Sequence, residues 1–229
     1  MSPPVRLERA NPSVGYAAPF VVYVGLMAVE RTLGLPLGWF YPIRLLLVAA
    51  TLLLVSRPYL SLRPRTPWAS LAIGAAVFLI WIGPDVIFGP NYRHHWLFEN
   101  SLTGGATASV TASLQLSTLF IMVRILGSVV VVPVVEELFW RGWLMRWLVD
   151  KNFLKVPLGT YVPSIFWIVA VMFASEHGPY WEVGLAAGVI YNWWLIRTKT
   201  LADCILAHAV TNGLLAVYVV AGDHWQYWL

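Results

Sequence analysis

Glu136, Glu137, His177 and His208 stand inside runs of sequence that are otherwise apolar. An ionisable side chain at the centre of a membrane helix costs on the order of a few kcal/mol on insertion scales, so several together need partners or a purpose. The first two lie in the run Val-Val-Glu-Glu-Leu-Phe-Trp-Arg-Gly, just after Pro133. On a helix Glu137 and Arg141 are four apart in the favourable order for an ion pair. Glu136 points about 100° away, which leaves its charge without a local partner and free for chemistry. The bland alternative is that both acids line a water-filled groove as a structural network.

The second element is Phe173-Ala-Ser-Glu-His177, followed by Gly178 and Pro179, which end the helix at or near His177. On its own such a histidine is a polar helix terminus, and Glu176 beside it is a rival acid. The third is His208-Ala-Val-Thr-Asn212, whose spacing of four puts His208 and Asn212 on one helix face. Hydrogen bonding between helices is the ordinary use of such a pair in a membrane. Together the residue types suit hydrolysis: an acid and a histidine can hold a water between them, and hydrogen-bond donors are needed where negative charge develops.

These residues need elements that bring them to one depth. Of the 229 residues, 59% are hydrophobic and 11% charged, and mean hydropathy is +0.70, outside the soluble range. Apolar runs long enough to cross a bilayer extend over Tyr16 to Leu33, Phe40 to Ser56, Trp68 to Phe88, Ser113 to Val149, Tyr161 to Glu176, Val183 to Ile196 and Leu201 to Ala221. The expected fold is an all-α polytopic transmembrane helix bundle of seven spans, or eight if the long fourth stretch divides, with a polar active site inside the membrane. A rise of about 1.5 Å per residue puts Glu136, His177, His208 and Asn212 in one mid-membrane layer, with a kink at Pro133 opening room for water.

The thirteen Trp and ten Tyr suit headgroup-depth interfaces. The net charge of +4 does not form a nucleic-acid patch, because the basic residues fall in short stretches between apolar runs. With the N-terminus in the cytoplasm, Arg6, Arg9, Arg57, Arg63, Arg65, Arg141, Arg146, Lys151, Lys155, Arg197 and Lys199 lie at or near the cytoplasmic side, in line with the positive-inside rule. The run after Arg6 and Arg9 lacks a small-residue cleavage site and reads as retained rather than as a signal peptide. Cys204 is the single cysteine, so neither an internal disulfide nor a cysteine metal cluster is available. Residues 89–112 form the one long connection, an external cap. The chain reads as a single membrane domain, 1–229, with N-terminal spans and the external loop in 1–112 and a catalytic core in 113–221. Asp203 reads as capping or steadying the last helix, Asp85 as lying near the external surface, and Glu182 and His224 as interfacial.

The three motifs in this order, Glu-Glu-x-x-x-Arg at Glu136, Glu137 and Arg141, Phe-x-x-x-His at Phe173 and His177, and His-x-x-x-Asn at His208 and Asn212, resemble those of the intramembrane CAAX prenyl proteases of type II, the CPBP or Abi family. The resemblance runs from about Ser128 to Gly213. The chain is also similar to CAAX-protease-like proteins associated with bacterial exosortase and exopolysaccharide systems. The family scheme implies Glu136 as general base, His177 orienting and activating water, His208 and Asn212 stabilising the oxyanion, and Glu137 with Arg141 supporting them. It implies an integral protein of the bacterial cytoplasmic membrane, partnered by the lipid bilayer and by a membrane-tethered protein or peptide substrate.

The expected cofactor is none. A zinc alternative stays open, because Glu136, His177 and His208 are also a two-His, one-carboxylate set. So do two other functions: a scaffold or immunity-type protein on the same fold without proteolysis, and a proton-coupled transporter.

Overall fold

The computed structural model describes residues 11–89 and 91–228. Arg6 and Arg9, counted above towards orientation, lie outside them. The chain is all-helical and divides into two compact units, Met1–Leu60 and Ser61–Leu229.

In the first unit, α1 (Pro12–Leu33) starts at Asn11, whose side chain accepts from the Ser13 amide, and stops at Gly34 in the left-handed conformation. Helix α2 begins at Leu37 and continues through a π-helical turn, Leu52–Ser56, to Tyr59. Arg44 of α2 reaches Glu30 of α1 at 2.9 Å and lies over the rings of Tyr23 and Tyr41. A cation buried in an apolar helix is tolerable only with such partners.

The second unit holds α3 (Pro67–Phe88), α4 (Thr118–Trp147), α5 (Pro163–Ser175), α6 (Trp181–Thr198) and α7 (Leu201–Gly222). Helix α7 packs against α3, α4 and α6, and α5 packs on α6. Each apolar run expected from the sequence is therefore helical, the long fourth stretch as a short helix, Ala112–Gln115, followed after a break by the long helix Thr118–Trp147. By length and composition α1, α2 with its extension, α3, α4 and α7 can each cross a membrane, whereas α5 is a shorter apolar helix. Large apolar side chains such as Leu54, Leu79, Leu119 and Val171 face outward. Apolar surface on this scale suits hydrocarbon rather than water. The chain is an integral membrane protein.

Helix α4 is not regular. Two π-helical stretches, Gly127–Val131 and Leu138–Leu144, flank the short α-helical piece Val132–Glu137. Pro133 has no amide to donate, and its ring clashes with the carbonyl four residues back. A π turn just before it widens the ladder where that carbonyl lies, so the kink expected at Pro133 takes this form.

Two devices join α3 to α7. At Gly74 an added Cβ would collide with the Ala207 carbonyl and come within 2.7 Å of Val210, so glycine is what lets the backbones meet. Thr211 of α7 donates to the Gly74 carbonyl at 2.8 Å and accepts from Tyr191 of α6 at 2.7 Å, which links three helices. The second device is Asp203. Its carboxylate accepts from the amides of Arg65 and Thr66 at 2.9 Å and from the hydroxyls of Thr66 and Ser70 at 3.0 and 2.9 Å. Of the two expected roles, capping the last helix or steadying it, these bonds fit the second. Thr200 caps α7 by accepting from the Ala202 amide, while Asp203 caps α3 from across the interface.

Candidate active site

The acid pair sits at the end of the short α-helical piece of α4. Glu137 is fully buried, and its Oε1 accepts from Arg141 Nη1 at 3.2 Å, the intrahelical pair expected from the spacing. Arg141 is equally buried. Its Nε donates to Asn192 Oδ1 at 2.9 Å and its Nη2 to the Gly188 carbonyl at 3.3 Å, while the guanidinium lies 4.4 Å from the centre of the Phe173 ring. Asn192 donates onward to the Phe166 carbonyl at 2.9 Å, so one arginine ties α4 to α5 and α6. A buried charge needs this much compensation.

His208 enters from α7. Its Nδ1 lies 3.0 Å from Glu137 Oε1, and its Nε2 lies 4.0 Å from Glu136 Oε2. A carboxylate paired with arginine only accepts, so Nδ1 carries the proton and Nε2 is turned towards Glu136. The ring stacks on Tyr191, with centroids 5.1 Å apart and planes 23° apart. Glu136 has a side chain 13% exposed, and its Oε2 is buried with no hydrogen-bond partner. An acceptor left open in this way is suited to a group that arrives with the substrate.

His177 lies beyond the end of α5, in the turn that leads through Gly178 and Pro179 into α6. Its Nδ1 donates to the Phe173 carbonyl at 2.8 Å, since a carbonyl only accepts, and Nε2 is left free. The Phe173 ring separates the two histidines, 4.8 Å from His177 and 6.1 Å from His208. On the far side His177 meets Trp81 of α3 at 5.1 Å. An added Cβ at Gly184 would lie 3.0 Å from His177 Nδ1, so this glycine makes room for the ring.

Asn212 is one turn beyond His208 on α7. Its Nδ2 donates to the Ser128 carbonyl at 2.8 Å, inside the first π stretch of α4. Glu176 accepts from Trp140 Nε1 at 3.2 Å, which ties the end of α5 to α4. The structure thus brings Glu136, Glu137, Arg141 and His208 into direct register, sets His177 across the Phe173 ring, and commits Asn212 to α4. Sequence reading missed Asn192, Tyr191 and Trp140. An asparagine inside α6 was the one available signal, because a buried amide in a membrane helix requires partners.

The zinc alternative, Glu136 with His177 and His208, is not assembled as a ligand set. Among the described residues no three His, Cys, Asp or Glu side chains are grouped so as to hold a metal ion.

Residues 118–214 match the family model described as type II CAAX prenyl endopeptidase Rce1-like. No curated protein and no solved structure matches the chain. The matched span runs from the start of α4 into α7 and contains Glu136, Glu137, Arg141, His177, His208 and Asn212. Over this span, which holds the whole acid, histidine and amide constellation, the chain is similar to the Rce1-like type II CAAX prenyl endopeptidases.

Proposed function

We propose that the protein is an intramembrane endopeptidase that hydrolyses a peptide bond in a membrane-tethered protein or peptide. The observation that carries this reading is the open Glu136 carboxylate beside His208 Nε2, above a buried Glu137–Arg141 pair. Glu136 takes a proton from water as the water oxygen attacks the peptide carbonyl carbon. The free Nε2 of His177 orients that water. Negative charge then develops on the carbonyl oxygen, where His208 donates from Nε2 when its ring carries a second proton there, and Asn212 donates with the amide hydrogen not spent on Ser128. When the carbon–nitrogen bond breaks, the proton held by Glu136 passes to the leaving amine. Glu137 and Arg141 fix the ring of His208 and do not meet the substrate.

In this reading the protein needs no metal. Full activity of a metal-free preparation is expected, and loss of cleavage on metal removal with recovery on adding zinc would overturn it. We place it in a bacterial cytoplasmic membrane with the N-terminus in the cytoplasm, as the clustering of Lys and Arg between apolar runs supports. Its substrate would be a prenylated CAAX protein or another tethered peptide. The test compares membrane proteomes made with active protein and with Glu136→Gln. Cleavage products found with the first and absent from the second are expected, and normal cleavage by Glu136→Gln would leave a scaffold or immunity-type role as the better account.

A further inference from the structure

The family match ends at residue 214 and begins at residue 118, so it includes neither α3 nor the connection 89–112. Both nevertheless meet the turn that carries His177. Arg93, in the connection, is 4% exposed. Its Nε donates to Asp85 Oδ2 at the end of α3 at 3.0 Å. Its Nη1 donates to the Pro179 carbonyl at 2.8 Å and lies 2.9 Å from Glu182 Oε1, and its guanidinium sits 3.8 Å from the centre of the Tyr180 ring. One side chain thus holds the second, third and fifth residues after His177.

The hold is itself braced. The Tyr227 hydroxyl donates to Asp85 Oδ2 at 2.6 Å, and the Tyr180 hydroxyl donates to the Gln226 carbonyl at 3.1 Å. Trp81 of α3 touches both His177, at 5.1 Å, and Tyr180, at 6.4 Å with planes 15° apart. The Trp181 indole donates to the Leu97 carbonyl at 3.0 Å, a second tie between the connection and the turn.

The planar fork of arginine suits such a task, because its donors keep fixed angles to one another. Asp85, Glu182 and the Pro179 carbonyl can shift relative to one another only by losing part of it. Without the guanidinium, two largely buried carboxylates would face each other across the turn with no cation between them.

We infer that Arg93 is a positioning residue for His177, by which the part of the chain outside the family match sets the aim of a residue inside it. The inference rests on the protease reading for what His177 does, but not for where His177 is held. The test uses the full chain in lipid nanodiscs with nitrogen-15 labelled histidine. The ring signals of His177 and His208 are compared in the parent protein, Arg93→Gln, Arg93→Lys and Glu182→Gln, and each protein is given a peptide ending in a prenylated cysteine and three further residues.

In Arg93→Gln the His177 signals should move or broaden while those of His208 stay. Its kcat should fall about 10- to 100-fold with KM nearly unchanged, the scale expected when a reacting group is displaced by about 1 Å. Arg93→Lys should restore part of both effects, and Glu182→Gln should disturb His177 less than Arg93→Gln. Unmoved His177 signals in a folded Arg93→Gln protein would overturn the inference. Joint movement of both histidines with lost thermal stability would also overturn it, by marking a general loosening. If the parent protein leaves the peptide uncut, the protease reading fails for that substrate, and the histidine signals still decide the role of Arg93.

Discussion

His208 Nδ1 lies 3.0 Å from Glu137 Oε1, and that one contact orders the centre of the protein. It joins α7 to α4 through the oxygen that Arg141 also holds, so Glu137 is not an isolated charge. Adjacent in sequence, the two carboxylates have different surroundings. Glu137 spends Oε1 on both Arg141 and His208, whereas Glu136 Oε2 has no hydrogen-bond partner and lies 4.0 Å from His208 Nε2; Glu137 Oε2 is likewise without a partner.

Removing one side of the buried pair should cost far more than removing both. Arg141→Leu leaves Glu137 as an uncompensated charge, and a loss of about 3 to 5 kcal/mol is expected in a denaturing-detergent titration. The double substitution Glu137→Leu with Arg141→Leu should recover most of that stability and no proteolysis. Equal losses for the single and double variants would mean that the pair is not coupled.

Asn212→Ala separates two roles of one amide. Losing the bond to Ser128 should lower stability by about 1 kcal/mol. Losing an oxyanion donor should lower kcat by about 10²- to 10³-fold. Kinetics and unfolding measured on the same preparation check both, and a stability loss without a kinetic one would confine Asn212 to packing.

Gly74→Val should separate α3 from α7, because the new side chain meets the Ala207 carbonyl and Val210. A loss of about 1 to 3 kcal/mol is expected from overpacking, with Gly74→Ala milder. Unfolding midpoints of the two variants, ranked against the parent, provide the check.

The connection 89–112 should respond to acid at Glu99. Its hydrogen bond with the His94 ring, at 2.8 Å, and the Ala106 amide hold its carboxyl below the usual carboxylate range. A carboxyl whose folded pKa is lowered contributes stability above its unfolded pKa and loses it as pH falls through the folded one. Limited proteolysis near Ala106 should therefore quicken as pH falls through the folded pKa of Glu99. His94→Ala should move the start of that change to higher pH, and an unchanged onset would remove His94 from the account.

Much of this was legible in the sequence because apolar runs and motif spacing are local properties. All seven runs became helices, and the i, i+4 pair of Glu137 and Arg141 needed only the helical period. The partners of Asp203 were not legible, since an N-terminal acid in α7 looks like a cap for its own helix until α3 is docked beside it. Nor was the π-helical winding of α4, which changes which side chains share a face. The joining of Asp85 and Glu182 through Arg93 was not legible, because 89 positions divide Arg93 from Glu182 and only the tertiary fold closes that gap.

The cap that Asp203 places on α3 has a consequence for biosynthesis. The amides of Arg65 and Thr66 at the start of α3 are satisfied by a side chain made more than a hundred residues later. Until α7 enters the bilayer, those amides must be served by water or by lipid headgroups, because hydrocarbon offers them nothing. Helix α3 can thus insert early yet reach its final seat only when the last long helix has left the ribosome. The contact of His208 with Glu137 forms at that same moment, since His208 travels on the helix that brings the cap. A chain stalled before α7 would hold its acids in the membrane with neither His208 nor an anchored α3 beside them, so the docking of α3 and the pairing of Glu137 with His208 are one event.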